Sequence, residues 1–381
     1  MPNFSGVWDL KDQVQAIAAG RWTGIPTFEL YAWGRNQVGQ LGDNTVVNAS
    51  SPVQVGTLAT WAKISSGGYS GFSIKTDGTL WSWGYNGQGQ LGINTIIDHS
   101  SPVQIGSSTD WREVAGGFNH AAAIKTNNTL WSWGGNNFGF IGDDTIVRRS
   151  SPVQIGALTN WQELGLGENH TLSVKTNGTL WAWGRSNNGQ LGDGTVIAKS
   201  SPVQIGALTT WSSVSGGGEF SSAIKTDGTL WSWGSGTDGR TGLDSVVSKS
   251  SPVQVGALTD WSIVSAGKEF CVAIKTDGTL WTWGNNNQGQ LGQNTAIKRS
   301  SPVQVGALTN WSFAVAGSTH ALAITNAGAL YSWGKNAYGQ LGLNAPPAEK
   351  SSPVQVGLAS QWLSVSAGVN HTIAVFQGSS N

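Results

Sequence analysis

LWSWGYNGQGQLG, Leu80 to Gly92, is the stretch from which the fold is read. Near-copies start at Leu30, Leu130, Leu180, Leu230, Leu280 and Leu330, always 50 residues apart. Self-similarity at one fixed period marks a repeat architecture and outranks any local signal. Each copy runs on into SSPVQ(V/I)G, a lone Trp, a Gly-rich step and an apolar run ending in a tight turn. In the second repeat, Tyr69 to Lys75 is the apolar run and Thr76-Asp77-Gly78-Thr79 the turn. Asp-Gly between two strands predicts a hairpin, because both central residues of that turn need positive φ. The returning strand, Leu80 to Trp83, puts Trp81 and Trp83 on one face and Leu80 and Ser82 on the other. A bulky face and a slim face suit sheets stacked against each other. Each indole buries ~150–250 Å², and no single sheet buries that face alone. Seven sheets closed in a ring do.

Pro102 to Ile105 reads as a third strand, with its Pro at the start, where a missing N–H costs least. Trp111 to Ala115 is either an outer fourth strand or a connector to the next unit. The array begins at a returning strand, Leu30 to Trp33, and ends at an inner one, His371 to Phe376. The two halves are complementary, so the ring is expected to close by sharing one unit between the termini, with Ile373 and Val375 beside Tyr31 and Trp33. Such closure removes two exposed sheet edges.

Composition narrows the function classes. Lys plus Arg equal Asp plus Glu at 21 each, which argues against nucleic acid and anionic membrane as partners. Gly is high at 54, but 21 Trp residues mark packed, turn-rich structure and not low complexity. The single Cys271 excludes an internal disulfide framework and a Cys-type metal site. The N-terminus lacks a basic start and an apolar core, so no signal peptide is expected. No apolar run reaches membrane-spanning length.

Residues 1–29 stand outside the array. Asp9 is placed to cap a short helix, with Asp12 near its positive end. Leu10, Val14 and Ile17 fall on one helical face, and Gly20 is a stop. A helix this short does not persist alone in water. With Phe4, Trp8 and Trp22, the segment carries enough apolar surface to need a partner. It is read as an attachment element, with Ile25-Pro26 as a stiff hinge into the first strand.

Several residue sets recur at fixed repeat positions. His120, His170, His320 and His371 share one, filled elsewhere by Ser70, Phe220 and Phe270. Metal–nitrogen bonds of ~2.0–2.1 Å need ligands converging on one point, and side chains on different units around an axis do not converge. No metal and no cofactor is expected. Each His is instead expected to tie its strand to a neighbouring backbone group. Lys75, Lys125, Lys175, Lys225 and Lys275 share another position, as an anion-attracting or merely solvated rim. Arg149, Lys199, Lys249, Arg299 and Lys350, with His99 and Ala49, precede each Ser-Ser-Pro and read as solubilising charge on exposed strands. The positions that change most enter the apolar run: Tyr69, Phe118, Asn119, Glu168, Asn169, Glu219, Lys268 and Glu269. These eight are the candidate ligand- or receptor-binding residues, clustered at one mouth of the ring. The other reading is drift at unconstrained loop positions. No nucleophile motif and no phosphate-cradling Gly loop occurs, so no catalytic residue is assigned and the chain is read as no enzyme.

LWSWGxNxxGQLG, followed by SPVQVG and AGxxHxxAI, resembles the regulator of chromosome condensation repeat over residues 30–376. Asn119-His120, Asn169-His170 and Asn370-His371 stand where that repeat has Gly-x-x-His. The resemblance implies an all-β, seven-bladed β-propeller with the Gly-x-x-His strand innermost. It does not imply one function. The family's exchange factors carry an inserted wedge that acts on a nucleotide-binding partner. The even spacing here, with one extra residue near Pro346-Pro347, leaves no room for it. Ser5 to Trp22, SGVWDLKDQVQAIAAGRW, resembles a short module of marine tailed-phage structural proteins.

The expected fold class is therefore all-β: a seven-bladed propeller of about 50-residue repeats over residues 30–381, closed by a shared blade. A short N-terminal helical attachment segment, 1–29, precedes it. The expected function is a non-enzymatic structural or adhesin component of a bacteriophage particle, located in the virion. Residues 1–29 would join it to other virion or scaffold proteins, and the mouth would meet a host-surface receptor or glycan. The alternative is a cytosolic binding module of the condensation-regulator type, acting on a GTPase. Neither reading includes nucleic-acid binding or membrane insertion.

Overall fold

The computed structural model describes residues 26–57, 60–345 and 347–379. They form seven antiparallel four-stranded sheets. One blade consists of Trp61–Ser66, Ser70–Lys75, Leu80–Gly84 and His99–Gln104, hydrogen-bonded in that order. The lone-Trp segment is thus a full strand, and it opens the next blade. Neighbouring Trp61-type strands touch each other, and their ends line a cavity on the axis. They are therefore innermost, and the Gly-x-x-His strand is second. The resemblance had implied the reverse.

The recurring motif encodes the junction between blades. Trp83 is fully buried and donates its indole N–H to the carbonyl of Gln40, one blade earlier, at 3.1 Å. The same bond recurs from Trp133 to Gln90, from Trp233 to Gln190 and, across the ring closure, from Trp33 to Gln340. Leu91 is buried beside this carbonyl row. Gly92, at φ 71°, lies under the next indole, where a Cβ would come within 2.7 Å of Trp133. Asn86 holds the loop, accepting from Leu91 N at 2.9 Å and donating to the carbonyls of Thr95 and Ile97, both at 3.0 Å. The bulky face of Trp61 and Trp83 packs on Leu30, Ala32 and Ile373 of the preceding blade, as the alternation predicts. Each buried indole contributes several kcal/mol gross, at ~25 cal/mol per Å², before ordering entropy is subtracted.

The closing blade has the order Ala49–Gln54, Pro26–Gly34, His371–Ser379, Trp362–Ala367. The N-terminal side supplies its two outer strands and the C-terminal side its two inner ones. Nine residue pairs join the central strands, from Pro26 opposite Ser379 to Gly34 opposite His371. The register sets Ile373 opposite Ala32 and Val375 opposite Leu30, one step from the expected partners. That step puts Ile373 on the slim face, against the next blade's indoles.

The expected helical segment is corrected. No α-helix occurs among the described residues; the one helical turn is a 3-10 turn at Thr237–Gly239. Residues 9–20, where the helix was expected, lie outside the described residues. Pro26 to Glu29, the end of that segment, extends the first strand, because Phe376 to Ser379 offers it a ladder. Phe4, Trp8, Leu10, Val14, Ile17 and Trp22 also lie outside the described residues.

Candidate functional site

The first and second strands of each blade are joined by a Gly-rich turn facing the axis, such as Gly67-Gly68-Tyr69. Gly67 N donates to Ser70 O at 2.8 Å and closes the turn. Gly68 N donates to Gly117 O of the next blade at 3.0 Å, and Val369 N donates to Gly68 O at 3.1 Å. These bonds make a backbone belt around the mouth. Close approach explains the glycines: a Cβ on Gly117 would lie 2.9 Å from Gly167 O. The axial cavity holds about 100 Å³, well below the roughly 300–1,000 Å³ of small-molecule sites. Ligand contact at this end therefore belongs to the rim, not the channel.

The eight candidate residues do gather on that rim, but in two sectors. Tyr69 and Phe118 meet edge to face at 5.6 Å. Lys268 bridges to Glu168 at 3.2 Å, two blades away. Glu219 pairs with Arg185 at 3.5 Å. Glu269 accepts from Asn285 at 2.8 Å and lies 3.9 Å from Arg240. Asn119 and Asn169 enter chiefly through their carbonyls, which accept from Gly135 N and Arg185 N at 2.8 Å.

Sequence reasoning missed a second ring of residues. Arg35, Tyr85, Arg185, Asn285 and Lys335 each follow the motif's Trp-Gly, and their backbone N–H bonds hold them over the mouth turns. The Arg35 guanidinium lies 5.6 Å from the Tyr69 ring centre and 5.2 Å from that of Tyr338. The signal was present: this is the position within WGxN that changes from repeat to repeat.

The recurring His and Lys75-type sets are structural. His120 Nε2 lies 3.0 Å from Thr171 Oγ1 of the next blade, and Thr171 donates to Phe140 O at 2.9 Å. The hydroxyl proton is thus committed to the carbonyl, so the imidazole donates through Nε2. His170 repeats this with Ser221, and His320 with Thr372. In these three the tie is to a neighbouring hydroxyl and not to the backbone group expected, whereas His371, which faces Gly71, meets the Ser70 backbone as expected. Burial pushes His120 and His320 down to about 3, and His170 and His371 to about 4. No cluster of metal-ligating groups occurs among the described residues. Cys271 is buried, and its thiol is pushed up by desolvation.

The lysines do not form a rim. Lys75 is 7% exposed, its ammonium 3.5 Å from the Trp81 ring centre and 4.7 Å from that of Trp61. Lys175 is 3% exposed in the same arrangement, and desolvation lowers its pKa to about 8. The aliphatic stem covers apolar surface while the cation meets two π faces.

Comparison with known proteins agrees with this architecture. The family model for the RCC1-like domain matches residues 2–267. Models of the regulator of chromosome condensation (RCC1) repeat match residues 277–324 and 327–375, and residues 261–290 and 313–340. The chain belongs to the RCC1 repeat family. No curated protein sequence matches it. Among solved structures it is similar to yeast RCC1 (Prp20) bound to Kap60, with 20% identity and a TM-score of 0.85 over 94% of this chain and 90% of that one. Prp20p from Saccharomyces cerevisiae gives 20% and 0.83 over 93% and 92%. Human WBSCR16 gives 21% and 0.83 over 92% and 99%. At these identities the likeness speaks for the fold.

Proposed function

We propose that the chain is a non-enzymatic binding module of the condensation-regulator type that takes a protein partner on the mouth face. The observation that carries this is the Arg35 guanidinium set between Tyr69 and Tyr338, with Phe118 against Tyr69. Tyr and Arg clustered on one sector of a rigid surface are the side chains that dominate protein–protein binding energy. The neighbouring ion-paired sector gives the polar rim such a patch needs. Two yeast structures lend support from outside: Prp20 is described bound to Kap60, and with binding properties to Gsp1p and histones. A GTPase is the partner class to test first. The spacing leaves no inserted wedge, so binding need not bring nucleotide exchange. Attachment to a phage particle would rest on residues 4–22, outside the described residues, and no comparison favours it.

The test is capture by the immobilised full chain, wild type against Arg35→Ala/Tyr69→Ala. A partner retained by the wild type should be lost at least tenfold by the variant. Equal retention would place the partner surface elsewhere.

A further inference from the structure

Between the outer strands of neighbouring blades lie lateral cavities, remote from the mouth. The one bounded by Arg299 and Tyr331 has a volume of about 510 Å³. That is the size of a site for a mono- or disaccharide and far larger than the axial cavity. Its wall includes the half-buried Tyr331 ring and Leu308, with the amides of Gln293, Asn294 and Gln304. Gln293 Nε2 is taken by Thr282 Oγ1 at 3.0 Å and Asn294 Oδ1 accepts from Ser351 Oγ at 3.5 Å, so Gln304 is the amide left for a ligand. A second cavity of about 510 Å³, walled by Trp281 and Leu258 with Lys249, repeats the plan one blade earlier.

The cation is what separates this junction from its equivalents. At Arg149 the guanidinium is held by Asp143, with Nε donating to Oδ2 at 2.7 Å and a second nitrogen at 2.6 Å. Lys199 lies 3.6 Å from Asp193. Where those repeats have Asp, Arg299 has Gln293, which takes only its Nε, at 3.2 Å. No carboxylate lies within ion-pair distance of Arg299 among the described residues. Its two terminal amino groups keep the fork geometry that fits one carboxylate with two parallel bonds. At Lys249 the Asp position is Leu243, although Asp244 also borders that cavity. The Arg299 junction is therefore the stronger of the two.

We propose that the Arg299–Tyr331 cavity binds an acidic pyranose, a sugar ring bearing a carboxylate. The aromatic ring takes the apolar face of the sugar, the Gln304 amide takes a hydroxyl, and the guanidinium takes the carboxylate. A plain apolar acid would leave the Gln304 amide without a ligand partner, and a neutral sugar would leave the guanidinium unused. This site is independent of the protein-binding reading of the mouth.

The chain itself supplies the test, because Gln293→Asp rebuilds the Asp143–Arg149 pair at this junction. Methyl glucuronide is titrated into the full-length protein by calorimetry or NMR, beside methyl glucoside and acetate. Methyl glucuronide should bind, and Gln293→Asp and Arg299→Gln should each weaken it at least tenfold with the melting temperature unchanged. Tyr331→Leu should weaken it as well. Equal binding of methyl glucoside, equal binding of acetate, full binding by Gln293→Asp, or no binding of the uronide at all would each overturn the proposal.

Discussion

Less than one repeat of chain separates the Gly92 platform under Trp133 from the mouth residues Tyr69 and Phe118, yet the two places have varied very differently. At the platform, every blade sets a glycine under the next blade's aromatic ring. At the mouth, the same repeat step carries Tyr, Asn, Glu or Thr. The difference follows from neighbours. The platform side chains are enclosed by another blade, whereas the mouth side chains meet mainly one another and solvent. A repeat stays uniform where its copy next door is the environment, and diversifies where the environment is something else.

That contrast can be broken at three strengths. The heaviest blow falls on closure. Truncation after Gly368 removes the inner partner of Pro26–Gly34 and strips Trp362–Ala367 of its only ladder, splitting the closing blade. The melting temperature should drop by more than ~10 °C, well beyond the few degrees that a change of about 1 kcal/mol produces in a large domain. A melt shifted by only a few degrees would mean that the ring does not depend on its shared blade.

Acid is the intermediate probe. In the unfolded chain an imidazole takes up its proton below about 6.5. The four buried rings resist until about 3 or 4. The unfolded state gains protons first, so stability is fully present above about pH 6.5 and falls progressively as pH drops below it toward the folded-state values. His120→Phe with Thr171→Ala copies the Phe270–Ala321 junction that the chain already contains. This pair should flatten the fall in melting temperature between pH 6.5 and 4 by about a quarter while leaving the neutral-pH value nearly unchanged. A curve identical to the wild type would rule out this imidazole as a source of the acid loss.

The smallest effect is expected at the mouth. Tyr69→Ala and Phe118→Ala should each change stability by no more than about 1 kcal/mol, since both rings are part-exposed and pack only on the rim. A loss of 3 kcal/mol or more, read from denaturant unfolding, would make them core residues and erase the distinction.

The blades and their closure were legible because packing imposes a period on the sequence. Trp83, Leu91 and Gly92 recur together since one junction needs all three. Even the histidine ties are written there: His120, His170 and His320 are each followed, in the next blade, by Thr171, Ser221 and Thr372, whereas Phe220 and Phe270 are followed by Cys271 and Ala321. Other features were not legible. The ammonium of Lys75 lies over Trp61, its partner across the ladder, and that pairing requires the strand register. Arg35 reaches Tyr338 only because the ring closes, which sets chain ends some 300 residues apart side by side. The N-terminal helix was inferred from three apolar positions, too few to establish a periodicity.

The shared blade also determines how the molecule answers to force. Its two central strands are antiparallel, and Pro26 sits directly opposite Ser379 at one end of the ladder. Tension applied at these two points acts along the hydrogen bonds and opens the nine pairs in succession, starting from the ends that are pulled. A ladder loaded lengthwise must break its bonds together; this one peels like a zip. Heat must loosen many junctions of the ring at once, whereas a tether pulled at these two points opens it one pair at a time.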